Sequence, residues 1–151
     1  MLLISSAIGC TPTTEEVHNA VNLYENKLDL CQNYKNTPLT ALHQSPPTQL
    51  TEAQLRVALS YLTLNSFKKC LEPEVTKLSG LLENTDKNEF EDIKWILSDD
   101  KDTLNAAQED FSNLPPDIKG FFNSNEMAKR PFNSIEALDI YLQYTNRKIS
   151  K

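Results

Sequence analysis

Glycine is nearly missing from this chain. Only Gly9, Gly80 and Gly120 occur in 151 residues, so no loop can gather several backbone amides around a phosphate, and the P-loop and dinucleotide fingerprints are excluded. Histidine is scarcer still: His18 and His43 are the only side chains whose ordinary titration lies near neutrality. No Gly-x-Ser-x-Gly elbow is present, and neither Cys31 nor Cys70 has the surroundings that would stabilise a thiolate nucleophile. No apolar run approaches the roughly twenty residues that a helix needs to cross a bilayer core. Strand-type alternation and repeats of solenoid length are also lacking, which removes β and solenoid architectures.

What remains is helical periodicity. Thr13 stands three residues before Glu16, the capping-box spacing, and opens a predicted helix over 14 to 33 with Val17, Val21, Tyr24, Leu28 and Cys31 on one stripe. Pro38, Pro46 and Pro47 mark residues 36 to 50 as a connector. Thr51 and Gln54 repeat the capping chemistry for a helix to about residue 71, with Leu55, Leu59, Leu62, Ser66 and Cys70 on one face and Tyr61, Leu64, Phe67 and Leu71 on another. Two apolar faces suit a central helix. Pro73 is expected in the first turn of a separate helix carrying Val75, Leu78, Leu81 and Leu82.

Further helices are predicted around Phe90, Ile93, Ile96 and Leu97, which face inward beside the single Trp95, and around Leu104, Ala107, Phe111 and Leu114, ending at Pro115-Pro116. Ile118, Phe121 and Phe122 form a short apolar piece, and residues 123 to 130 read as a polar loop. Asn133 and Glu136 cap a last helix with Ile135, Leu138, Tyr141 and Leu142 on its buried side. The chain thus reads as all-α, a compact irregular bundle of about six helices in a single domain.

Constellations for chemistry are mostly incomplete. Glu15 and His18 form one Glu-x-x-His unit, but a dinuclear site needs a second copy, and Thr40 stands where His43 would need a Glu. Asn84, Asp86 and Asn88 imitate the start of an EF-hand loop, yet Glu89 replaces its glycine and Trp95 its closing Glu. No metal site, cofactor or catalytic residue is assigned. Paired acids such as Glu89 with Glu91, or Asp99 with Asp102, keep a peptidoglycan-acting hydrolase as an alternative.

Charge is distributed unevenly. The net value is −6, and residues 72 to 117 carry thirteen acids against four bases. Such a stretch repels phosphate backbones, which argues against nucleic acid, and it suits a basic protein patch. Glu89, Glu91, Asp92, Asp99, Asp100 and Asp102 are the candidate partner-binding residues; the competing reading of such a run is a solvated face.

The run Leu2-Leu3-Ile4-Ser5-Ser6-Ala7-Ile8-Gly9-Cys10 resembles the end of a bacterial lipoprotein signal peptide, although Ala7 stands where that family usually has Leu and no basic residue precedes the apolar run. The resemblance implies a signal-peptide remnant at 1–9, lipidation at Cys10, and a periplasmic domain at 10–151. With Thr11 rather than Asp after the cysteine, it implies delivery to the periplasmic face of the outer membrane; a soluble periplasmic protein is the alternative. Setting Cys10 aside leaves Cys31 and Cys70 as an even pair in a disulfide-permissive compartment. A bridge between them is expected, with two buried thiols as the alternative. Because both cysteines fall near the ends of their predicted helices, a bridge would require those helices to run roughly parallel or to cross near those ends. The functional expectation is a non-enzymatic, membrane-anchored binding or assembly module for an envelope protein partner. An immunity or inhibitor protein is the alternative.

Overall fold

The computed structural model describes residues 11–39, 46–47, 49–85, 90–98 and 101–149. Among them are six α-helices, α1 (Thr14–Lys35), α2 (Glu52–Glu83), α3 (Glu91–Ser98), α4 (Lys101–Ser112), α5 (Pro116–Ser124) and α6 (Ser134–Ile149), with a 3-10 turn at Glu126–Ala128 and no strand. The molecule is all-α, as its periodicity requires. Cys10 and its apolar run, His43, Asp86, Asn88, Glu89, Asp99 and Asp100 lie outside the described residues.

Both capping boxes form. The Thr13 hydroxyl accepts from the Glu16 amide at 3.2 Å while the Glu16 carboxylate accepts from the Thr13 amide at 2.8 Å. Thr51 and Gln54 make the same exchange at 3.3 and 3.0 Å. Each pair satisfies amides that a helix start otherwise leaves to water.

The expected break at Pro73 does not occur. α2 is one helix of 32 residues that runs through the proline. An internal proline removes one backbone bond and presses its ring on the carbonyl four residues back, here that of Lys69, at a cost of about 3 kcal/mol. The buried stripe outweighs that cost, because it continues across the proline from Leu71 to Leu78 and Leu82, and each buried leucine contributes about 1.5–3 kcal/mol.

This continuity changes the topology. Cys31 and Cys70 are bonded, with their Cα atoms 6.1 Å apart, but Cys70 sits in the middle of α2, and the helices are antiparallel rather than parallel. Val17 and Ala20 share a buried cluster with Leu78 and Leu82, Cys31 meets Cys70, and the Lys35 ammonium lies over the Phe67 ring. Numbers rise along α1 as they fall along α2. The connector must therefore travel back from the level of Phe67 to Glu52, roughly 23 Å at 1.5 Å per residue, and its length follows from that distance.

α2 serves two cores. Its first half, through Leu55, Ala58, Leu59 and Leu62, packs with Leu39, Leu50, Phe111, Leu114, Ile118, Phe122, Met127, Phe132, Ala137 and Tyr141; its second half packs with α1 and Phe90. Tyr61 stacks on Phe111 with ring centroids 4.5 Å apart. The apolar piece at 118–122 belongs to α5, a true helix opened by Pro116 where its missing amide costs nothing. The expected polar loop at 123–130 is instead the end of α5 and a 3-10 turn that buries Met127 completely. Asn125 organises that turn, accepting from the Met127 amide and donating to the Tyr141 hydroxyl at 3.1 Å.

Arg130 closes the structure. Its Nε donates to Glu126 at 2.7 Å, while its other nitrogens reach the Tyr34, Thr37 and Pro38 carbonyls at 3.3, 3.4 and 3.2 Å. A cation thus meets the last carbonyls of α1 and the first of the connector, where the helix dipole favours it.

Candidate binding surface

α3 carries the clearest exposed feature. Ile93 and Leu97 are half-buried against the smaller core, and a helix of 3.6 residues per turn then turns the positions between them outward. Trp95 is 65% exposed and Ile96 53%, which corrects the expectation that Ile96 faces inward. Ile135, expected on the buried side of α6, is likewise exposed; the first turn of a helix projects past the elements its later turns pack against.

Three of the candidate partner-binding acids are described, and all three lie in first helical turns: Glu91 and Asp92 in α3, Asp102 in α4. All are exposed. Acids there complement the positive end of the helix dipole, so part of the acidic run has a local structural use. Glu91 is also held by Lys94 at 3.2 Å, and the same ammonium reaches the Thr85 carbonyl at 3.5 Å, tying α3 to the end of α2. Asp92 and Asp102 flank Trp95 along the chain.

Beside α3 lies a groove that sequence reading missed. It runs along α2 from Thr63 to Thr76, is closed on one side by Tyr24 and Lys35 of α1 and on the other by Ile96, Leu97 and Leu104, and has a volume of about 260 Å³. Leu64, Phe67, Leu71 and Val75 form its floor. The signal was the second apolar face of α2. Periodicity read that face as core, but Leu64, Phe67 and Val75 are only half-buried, whereas Tyr61, half-buried as well, is stacked on Phe111. The disulfide fixes the α1 wall, since Cys31 and Cys70 each lie within four residues of a lining side chain.

Comparison with protein-family models, curated proteins and solved structures finds no match.

Other polar groups are placed without converging. His18 sits edge-on to Phe90 with centroids 5.5 Å apart. No group of three or more metal-ligating side chains occurs among the described residues. On the α2 row shared with Cys70 and Leu78, Glu74 has a buried carboxylate oxygen with no hydrogen-bond partner among the described residues. No described helix is long and apolar enough to cross a membrane.

Proposed function

We propose that this protein is a non-enzymatic, lipid-anchored helical module of the bacterial envelope that binds another protein through the outer face of α3. The observation that carries the reading is Trp95, the only tryptophan, left 65% exposed beside Ile96 and bracketed by Glu91, Asp92 and Asp102. Exposed aromatics are the commonest anchors of protein interfaces, and they act within a polar rim that excludes water. The rim here is acidic, so the partner presents a basic surface with an apolar pocket. Charge of that kind speeds encounter, and the aromatic holds the complex.

Cys10 supplies the anchor in this reading. A protein made with its complete native leader partitions into detergent with an acyl mass increment, and Cys10→Ser abolishes both. A photoreactive residue at position 95 then cross-links one envelope protein. Trp95→Ala weakens binding to that protein by about tenfold or more, and reversing Asp92 and Asp102 to Lys slows association in a salt-dependent way. An unmodified wild-type chain in the cytosol overturns the anchor. Unchanged affinity in the Trp95→Ala protein overturns the surface.

A further inference from the structure

The groove beside α3 differs from the rest of the molecule in charge. Among its thirteen lining residues are Lys35, Lys68 and the single acid Glu72, in a protein whose net charge is −6. A basic segment is therefore not its natural occupant. Lys35 is held at the wall, its Nζ 4.1 Å from the Phe67 ring centroid, so one cationic head stands at the edge of an apolar floor before any ligand arrives. Lys68 is exposed on the turn beside it. An apolar trough with cations at one edge matches a molecule with an apolar tail and an anionic head.

Volume sets the tail. A cavity of 150 Å³ holds the six carbons of benzene, so 260 Å³ corresponds to about ten carbons on the same scale. A folded protein segment would offer two side chains to such a space and leave the lysines opposite its flank. A single acyl chain of that size lies along the floor, which from Leu64 to Val75 spans roughly 16 Å of α2, and occupies most of its length.

We propose that the groove between α1, α2 and the α3–α4 pair binds one acyl chain of an anionic amphiphile, with Lys35 and Lys68 meeting its carboxylate or phosphate head. This site adjoins the protein-binding surface proposed above at Ile96, but is tested without it.

The test titrates the intact, disulfide-bonded protein with octanoate, decanoate, dodecanoate, decyl phosphate, decanol and decylammonium below their aggregation concentrations. Calorimetry gives affinity, and emission from the single Trp95, next to Ile96 on the groove wall, reports occupancy. Affinity rises by about fourfold per added methylene until about ten carbons and then levels off. Decanoate or decyl phosphate, whichever head the source supplies, binds about five- to tenfold more tightly than decanol. Lys35→Gln with Lys68→Gln removes that preference, so that decanoate and decanol bind the variant equally. Val75→Phe, which fills the floor, abolishes binding while helix content by circular dichroism is retained. Equal binding of decylammonium and decanoate, affinity independent of chain length, or full binding by folded Val75→Phe protein each overturns the proposal. Displacement of decanoate by a basic amphipathic peptide that binds more tightly makes the groove a peptide site and overturns it as well.

Discussion

Single side chains carry more of this fold than their exposure suggests. The Glu16 carboxyl is held below its ordinary range, first by the Thr13 amide and then by the Thr13 hydroxyl. A depressed carboxyl contributes stability that is present above its unfolded value, about 4.5, and is lost as pH falls through the folded value. Measured against the intrinsic rate at each pH, protection of the first-turn amides of α1 therefore falls under acid below about pH 4.5, and Glu16→Gln flattens that dependence because its side-chain carbonyl oxygen still accepts from Thr13 without titrating. Arg130 acts over a longer reach. Its guanidinium joins residues more than ninety positions apart by bonds to the Tyr34 and Thr37 carbonyls, and its side chain is only 20% exposed. Arg130→Ala lowers stability in urea by about 1–2 kcal/mol. Arg130→Lys recovers only part of that, because a single ammonium cannot face Glu126 and three carbonyls together. Neither the box at Thr13 nor the clamp at Arg130 needed a fold to exist as residues, yet only the box was legible: its partners are three positions apart, whereas Arg130 acts on carbonyls named nowhere in the sequence.

At the scale of elements, Pro73 marks where local rules and tertiary packing disagree. The ring and the missing amide argue for a helix boundary, while Leu71, Leu78 and Leu82 require one uninterrupted stripe. Packing prevails, and the unfavourable residue stays inside α2. Replacing it by alanine recovers about 3 kcal/mol of helix propensity and gives back roughly 1 kcal/mol through the looser unfolded chain. Pro73→Ala is therefore expected to raise the urea midpoint by the equivalent of about 2 kcal/mol, at unchanged slope. Helix starts were readable at Thr13, Thr51 and Asn133, because a cap is a short-range arrangement of named atoms; the prolines misled, since Pro116 opens α5 where it reads as a stop, and Pro73 opens no helix. The burial of Met127 was not, since a three-residue turn has no period for a pattern to reveal. The same limit hid the groove: the second face of α2 is apolar whether α4 covers it, as at Tyr61 and Phe111, or leaves a trough, as at Leu64 and Phe67.

Among the described residues, the buried side chains form two cores of unequal size strung on α2. Fourteen buried residues join the larger, which draws on the connector, α4, α5, the turn and α6; five join the smaller, which draws on α1, the end of α2 and Phe90. The pairing of Cys31 with Cys70 was legible once Cys10 was set aside, but the direction of the helices was not, because it depends on where α2 ends. The antiparallel arrangement gives the disulfide a definite task. It fastens α1, whose buried contribution to the small core is Val17 and Ala20 with Val21 and Tyr24 packed against it, at the far end of its buried stripe. Closing a loop with a separation of 39 residues lowers the entropy of the unfolded chain by the equivalent of about 4 kcal/mol. Replacing both cysteines by serine is therefore expected to cost about 2–4 kcal/mol of global stability. The loss is not evenly spread, because regions with few buried apolar contacts open first. In the double variant, amides of α1 and of the last two turns of α2 exchange at rates set by local opening, while those of Leu59, Leu62, Phe122 and Tyr141 exchange only with global unfolding. Uniform acceleration across both cores would instead mean that α2 transmits stability along its full length through Pro73, and that the molecule opens as one unit.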